Sequence, residues 1–145
     1  MTRSINGAGL DLIEKFEVFR ATAYMDKKGG KLTIGFGHTR DVQAGDSCTL
    51  TQAQQWLGED VAEAEKTVQK LVTVPLTDNQ YAALVSFAFN VGFVQFAHST
   101  LRTKLNSGDY GSVPHYLSAW VFVDGKVSKW QVARRAAEAK LWNTP

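Results

Sequence analysis

The chain has 145 residues, 44% of them hydrophobic and 21% charged, with a net charge of +2 and a pI near 8.7. This length and apolar content suit one domain, or two small lobes sharing a helix, with a core that needs no disulfide scaffold. The charge is far from the basic footprint of a dedicated nucleic-acid binder, and the single Cys48 excludes an intramolecular disulfide and a zinc spacing.

The first nine residues, Met1 to Gly9, contain no long apolar run, which argues against a signal peptide or signal-anchor. No later segment is long and uncharged enough to span a bilayer, so the expected site of synthesis and folding is the cytoplasm. Any action beyond the membrane then requires release by something else. His38, His98 and His115 are scattered and suggest no metal site.

Placing Leu10 to Phe19 on a helix at about 100° per residue gathers Phe19, Leu12, Phe16, Ile13 and Leu10 into one apolar arc. Glu17 falls inside that arc, whereas Asp11, Glu14 and Lys15 face away. A carboxyl on a core-facing side is costly to ionise, so its pKa is expected to rise, as suits a general acid. Gly29-Gly30 then signals a two-residue hairpin turn. Counting outward pairs Lys28 with Lys31, Lys27 with Leu32 and Asp26 with Thr33. Directly opposed residues have Cβ atoms roughly 4.5–5.5 Å apart, so Asp26 and Thr33 could share one water, with Asp26 ionised as a base. Each feature alone has an ordinary reading: an edge glutamate, a turn aspartate, a common cross-strand pair. Together they are the acid, base and hydroxyl that recur in glycoside hydrolysis.

Arg40 to Ser47 is polar and reads as loop. Thr51 with Gln54 has the form of a capping box, opening a helix to about Val72 with Leu57, Val61, Ala64, Val68 and Leu71 on one side. A second capping box, Thr77 with Gln80, precedes Tyr81 to Val91. That segment is apolar nearly all round, as in a buried central helix, and Gly92 stops it. Asn90 either caps its end or turns its amide toward a ligand. Ser99-Thr100 starts a helix ending at Asn106-Ser107-Gly108, Val113 to Trp120 forms a short one, and Val121 to Val127 makes a tight turn between short extended pieces. Trp130 to Trp142 closes the chain as a helix. Its Arg134–Glu138 and Arg135–Glu138 spacings, four and three residues, ordinarily mark a solvated face.

The run Phe16-Glu17, Arg20, Ala23-Tyr24, Asp26, Gly30, Thr33-Ile34-Gly35-Phe36-Gly37-His38-Thr39 resembles the signature of phage T4-type lysozymes, the muramidase endolysins of tailed phages. The eight residues between Glu17 and Asp26 keep the family spacing. The interval from Asp26 to Thr33 is one residue longer than usual, and Val18 stands where the family usually has glycine. Asp78 to Gly92, Ser99-Thr100-Leu101, Asn106 to Tyr110, Trp120, Arg134 to Glu138 and Leu141-Trp142 follow the family order, so the similarity covers most of the chain.

The resemblance implies an α+β, predominantly helical, two-lobed lysozyme-like fold. Its single catalytic domain would span 1–145, with a hairpin lobe near 20–45 and a helical lobe near 50–145 joined by the N-terminal helix. It implies hydrolysis of the β-1,4 bond between N-acetylmuramic acid and N-acetylglucosamine in peptidoglycan, with inversion, by a monomer needing no cofactor or metal. Glu17, Asp26 and Thr33 would be catalytic. Thr39, Phe89, Asn90 and Ser99 would bind the glycan, with core packing the alternative for Phe89 and helix capping for Ser99. His38 and Arg134 would support, Arg134 by pairing with Glu17. The rivals are a lytic transglycosylase, which needs no water-activating carboxylate, a non-catalytic wall-binding module, and a nucleic-acid binder with little beyond pI in its favour.

Overall fold

The computed structural model describes residues 3–26 and 30–145. Among these, seven helices and two two-stranded antiparallel sheets follow in the order α1 (Gly7–Glu17), β1 (Arg20–Asp26), β2 (Lys31–Gly35), α2 (Leu50–Leu71), α3 (Asp78–Val91), α4 (Phe93–His98), α5 (Thr100–Asn106), α6 (Val113–Leu117), β3 (Phe122–Val123), β4 (Lys126–Val127) and α7 (Lys129–Trp142). The α+β, mainly helical expectation holds. No helix among the described residues is long and apolar enough to cross a membrane.

The chain divides into two compact units. One comprises the chain up to Ile13 together with Glu63–Pro145, and the other is Glu14–Ala62. The smaller unit is therefore wider than the hairpin alone, because it takes in the end of α1 and the first part of α2.

In the helical unit α3 is the centre, with every residue from Tyr81 to Ala88 buried and α4 and α7 packed against it. Its start is the expected capping box: Thr77 accepts from the Gln80 amide, and Gln80 reaches back to the Thr77 amide. Gly9 of α1 lies so close to α3 that a Cβ there would come within 2.8 Å of the Ala82 Cβ, which makes glycine the residue that allows the approach. Helix α4 was not foreseen. It is a six-residue turn of helix after Gly92, whose φ of 94° redirects the chain. α6 is shorter than expected, ending at Leu117. The β3–β4 hairpin forms as anticipated, with Asp124 and Gly125 both at positive φ, the backbone such a tight turn requires.

Arg134, Arg135 and Glu138 do not form a solvated face: they are 2%, 2% and 0% exposed. The Arg135 Nε lies 2.7 Å from Glu138 Oε1, the Arg134 Nε 3.5 Å from Glu138 Oε2, and Ser86 Oγ donates to Oε2 at 2.6 Å. Burial pushes the Glu138 carboxyl up, and the guanidiniums of Arg135 and Arg134 pull against that. The spacing was read correctly, but the side of the helix was decided by packing against α3.

In the smaller unit, α1 ends at Glu17 and not Phe19. Val18 has φ of 55°, a left-handed conformation that stops the helix. Phe16 remains buried, and Phe19 instead packs its ring near Phe36 at 5.7 Å. The cap of α2 is Thr49, which accepts from the Gln52 amide at 3.1 Å, so the helix starts one residue before Thr51. Ala53, Leu57 and Val61 are buried on its inner side.

The hairpin register differs from the expected one. Tyr24 pairs with Thr33, Met25 with Leu32 and Asp26 with Lys31. The connection is longer than a two-residue turn, and Gly30, at φ of 63°, donates its amide to the Asp26 carbonyl. Lys27, Lys28 and Gly29, on which the expected turn partly fell, lie outside the described residues. Thr33 is thus not directly opposite Asp26. The slip is an even one, so it keeps side chains on their expected face. Asp26 and Thr33 become diagonal neighbours, with Cβ atoms roughly 7–8 Å apart by sheet geometry.

Candidate active site

The catalytic candidates Glu17, Asp26 and Thr33, with His38, all belong to the Glu14–Ala62 unit. Glu17 is the last residue of α1 and is half-buried. Its carboxyl rests against the backbone of Gly37: a Cβ at Gly37 would lie 2.7 Å from Glu17 Oε1 and 3.5 Å from Cδ. Only a residue without a side chain, at φ of 78°, lets the loop come this close.

That loop is pinned at both ends. Ile34 and His38 exchange two backbone hydrogen bonds of 2.9 Å, closing the chain around Gly35, Phe36 and Gly37. His38 is buried, places its Nδ1 2.8 Å from Asp60 Oδ2 on α2, and stacks on Trp56 with centroids 4.6 Å apart. Gly35, at φ of 66°, sits where a Cβ would meet the Ala53 Cβ at 3.0 Å. His38 thus ties the loop that lies under Glu17 to α2.

Asp26 ends β1 and is half-buried. Thr33 is only 3% exposed, and its hydroxyl donates to the Lys31 carbonyl at 3.1 Å. With its proton committed there, Thr33 has only lone pairs to offer any other partner. Tyr24, directly opposite Thr33, was not singled out. Burial pushes its phenol up first, the negative charge of Asp26 adds to this, Arg20 opposes it, and Glu17 contributes further. Both carboxylates therefore act on one phenol. The alternation along β1 could have flagged it, since Tyr24 and Asp26 are two residues apart and share a face. Asp60 and Trp56 carried no local signal; only the fold of α2 brings them to His38.

Of the glycan-binding candidates, Thr39 is exposed and Phe89 and Asn90 are half-buried. Asn90 does not cap the helix end. Its Oδ1 accepts from Arg135 Nη2 at 2.8 Å, while Gly92 closes the helix by donating to the Ala88 carbonyl. Ser99 is 3% exposed and is the cap of α5: its Oγ accepts from the Arg102 amide and donates to the Phe96 carbonyl at 2.7 Å. Its hydroxyl is spent on capping. Arg134 lies in the helical unit, beside Glu138 and with Nη2 3.4 Å from the Ser86 carbonyl.

A carboxyl at a helix end, a second on a hairpin and a shared hydroxyl face form an arrangement suited to glycosidic acid–base chemistry. Comparison with known proteins agrees. The phage lysozyme family model matches residues 14–138. The endolysin of Acyrthosiphon pisum secondary endosymbiont phage 1 is 38% identical over 144 residues, covering 97% of this chain and 98% of its own. The endolysin of Bacillus phage PZA is 39% identical over 97% of this chain, which spans only 55% of that relative. Among solved structures, the muramidase domain of SpmX from Asticaccaulis excentricus superimposes with a TM-score of 0.93 at 34% identity, covering 99% and 100% of the two chains. The chain belongs to the phage lysozyme family. It is a glycoside hydrolase that degrades bacterial peptidoglycan.

Proposed function

We propose that this chain is an endolysin muramidase that cuts the β-1,4 bond between N-acetylmuramic acid and N-acetylglucosamine, lysing the host cell. Glu17 is the general acid, protonating the glycosidic oxygen as the bond breaks. Asp26 is the base that draws a proton from the attacking water. The observation that carries this reading is that one compact unit holds both carboxyls, Glu17 at the end of α1 against the Gly37 loop and Asp26 on the hairpin face it shares with Tyr24 and Thr33.

Thr33 contributes as an acceptor. Its own proton goes to Lys31, so a water beside it donates one hydrogen to Asp26 and the other to Thr33 Oγ1. That leaves a water lone pair free to meet the anomeric carbon. Attack by a held water from the face opposite the leaving group inverts the configuration. Thr39 in the smaller unit, and Phe89 and Asn90 in the helical unit, are glycan contacts, each on its own surface. Ser99 and Arg134 have structural roles. The wall lies beyond the inner membrane, so the enzyme acts after release from the host cytoplasm through that membrane.

The test is clearance of permeabilised Gram-negative cells by wild type beside Glu17→Gln and Asp26→Asn. Both variants should fold normally and lose at least about a hundredfold in lytic rate. Appreciable lysis by Glu17→Gln would refute the assignment. Products should carry a reducing-end sugar; a 1,6-anhydro end would instead mark a lytic transglycosylase.

A further inference from the structure

We infer that Tyr24 is a further substrate-positioning residue of this site, its phenol O–H donating to an oxygen of the glycan at the bond that Glu17 and Asp26 cleave. The inference rests on the function proposed above and adds to it a role for Tyr24, a residue that the motif contains and to which neither the motif nor the comparisons give a role.

The register carries the argument. The hydroxyl expected to face Asp26 from the opposite strand was that of Thr33, but Thr33 is buried and its proton is held by Lys31. Tyr24 is directly opposite Thr33 and two residues before Asp26 on β1, so all three side chains share one face of the hairpin. Of the two hydroxyls on that face, the half-buried one belongs to Tyr24. Its ring is fixed from one side by the Arg20 guanidinium, whose carbon lies 4.7 Å from the ring centroid. A cation over a ring needs only the ring face, and phenylalanine would serve as well. The hydroxyl is therefore unexplained by packing.

Its surroundings suit a donor. Burial and the two carboxylates hold the phenol above its ordinary range, so it stays neutral and protonated wherever the carboxylates work. A neutral donor flanked by two acids offers the glycan what they do not: an O–H directed at the N-acetyl carbonyl or a ring hydroxyl oxygen. Where such a bond tightens as the sugar distorts, its loss falls on kcat and not on KM.

The experiment compares wild type, Tyr24→Phe and Arg20→Ala on soluble chains of alternating N-acetylglucosamine and N-acetylmuramic acid, counting new reducing ends per folded enzyme. Tyr24→Phe should keep the wild-type melting temperature and a KM within about twofold while kcat falls by about tenfold. Arg20→Ala should lose melting temperature before it loses kcat. Wild-type kcat in Tyr24→Phe would overturn the inference, as would a parallel loss of melting temperature in both variants with kcat per folded enzyme intact. Glu17→Gln on the same glycan separates the two levels. If it is inactive while Tyr24→Phe is normal, only Tyr24 is misassigned; if it is active, the underlying reading fails.

Discussion

Val18 follows the acid directly and adopts a backbone that valine ordinarily avoids. At φ of 55° its branched side chain crowds the carbonyl, and with 47% of its surface exposed the isopropyl group recovers little by packing. Glycine takes this conformation without that cost. Val18→Gly should therefore raise unfolding free energy by about 1 kcal/mol, read as a higher urea midpoint at unchanged slope. An unchanged or lower midpoint would show that the strain is relieved elsewhere. Gly37, on the other side of Glu17, is the opposite case. There a side chain would press on the carboxylate and φ of 78° disfavours one in any case, so glycine suits the position that lines the acid.

At the scale of elements, the loop between β2 and His38 is a clamp whose strength comes from α2. His38 and Asp60 are both largely shielded from water, and their hydrogen bond is backed by the Trp56 stack. Removing the acceptor leaves a buried imidazole without its Asp60 partner. Asp60→Ala should cost about 1–3 kcal/mol in chemical denaturation. It should also reduce lytic rate more than an equally destabilising change remote from the loop, because the loop supports Glu17. Equal loss of stability with full activity per folded molecule would separate the clamp from the site. The hairpin teaches a related lesson. Register slips in steps of two preserve faces, so Asp26 and Thr33 kept their side of the sheet although Lys31 took the place of Thr33 directly opposite Asp26.

The helical unit as a whole is held by a buried charge network and by a buried tyrosine. Glu138 neutralises Arg134 and Arg135 in the absence of water. Glu138→Ala should cost about 3–5 kcal/mol, because it removes the fully buried carboxylate that pairs with both guanidiniums; urea unfolding measures it. Tyr81 donates to the Arg3 carbonyl at 2.8 Å and accepts from Gln69. Burial is the main cause that pushes its phenol up from 10.0 to about 12. Between those values the unfolded chain has released the proton and the folded chain still holds it. Rising pH therefore favours unfolding across that window, and the contribution is fully present only below pH 10. Thermal melts from pH 9 to about 12 should show this decline, with a shallower slope in Tyr81→Phe.

Much of this was legible in the chain itself. The apolar periodicities of α1, α2 and α3, the Thr77–Gln80 cap, the Asp124-Gly125 turn and the Glu17–Asp26 spacing are local, and local physics sufficed for them. What tertiary structure alone decided depends on residues far apart in sequence. It set which strand residues pair, which put Tyr24 and not Asp26 directly opposite Thr33. It chose the side of α7 that was buried, which converted an apparently solvated Arg–Glu pattern into a core network. It brought Asp60 and Trp56 to His38. Periodicity states that an element has two sides and spacing states which residues travel together, but which side loses its water depends on a partner surface supplied by another part of the chain.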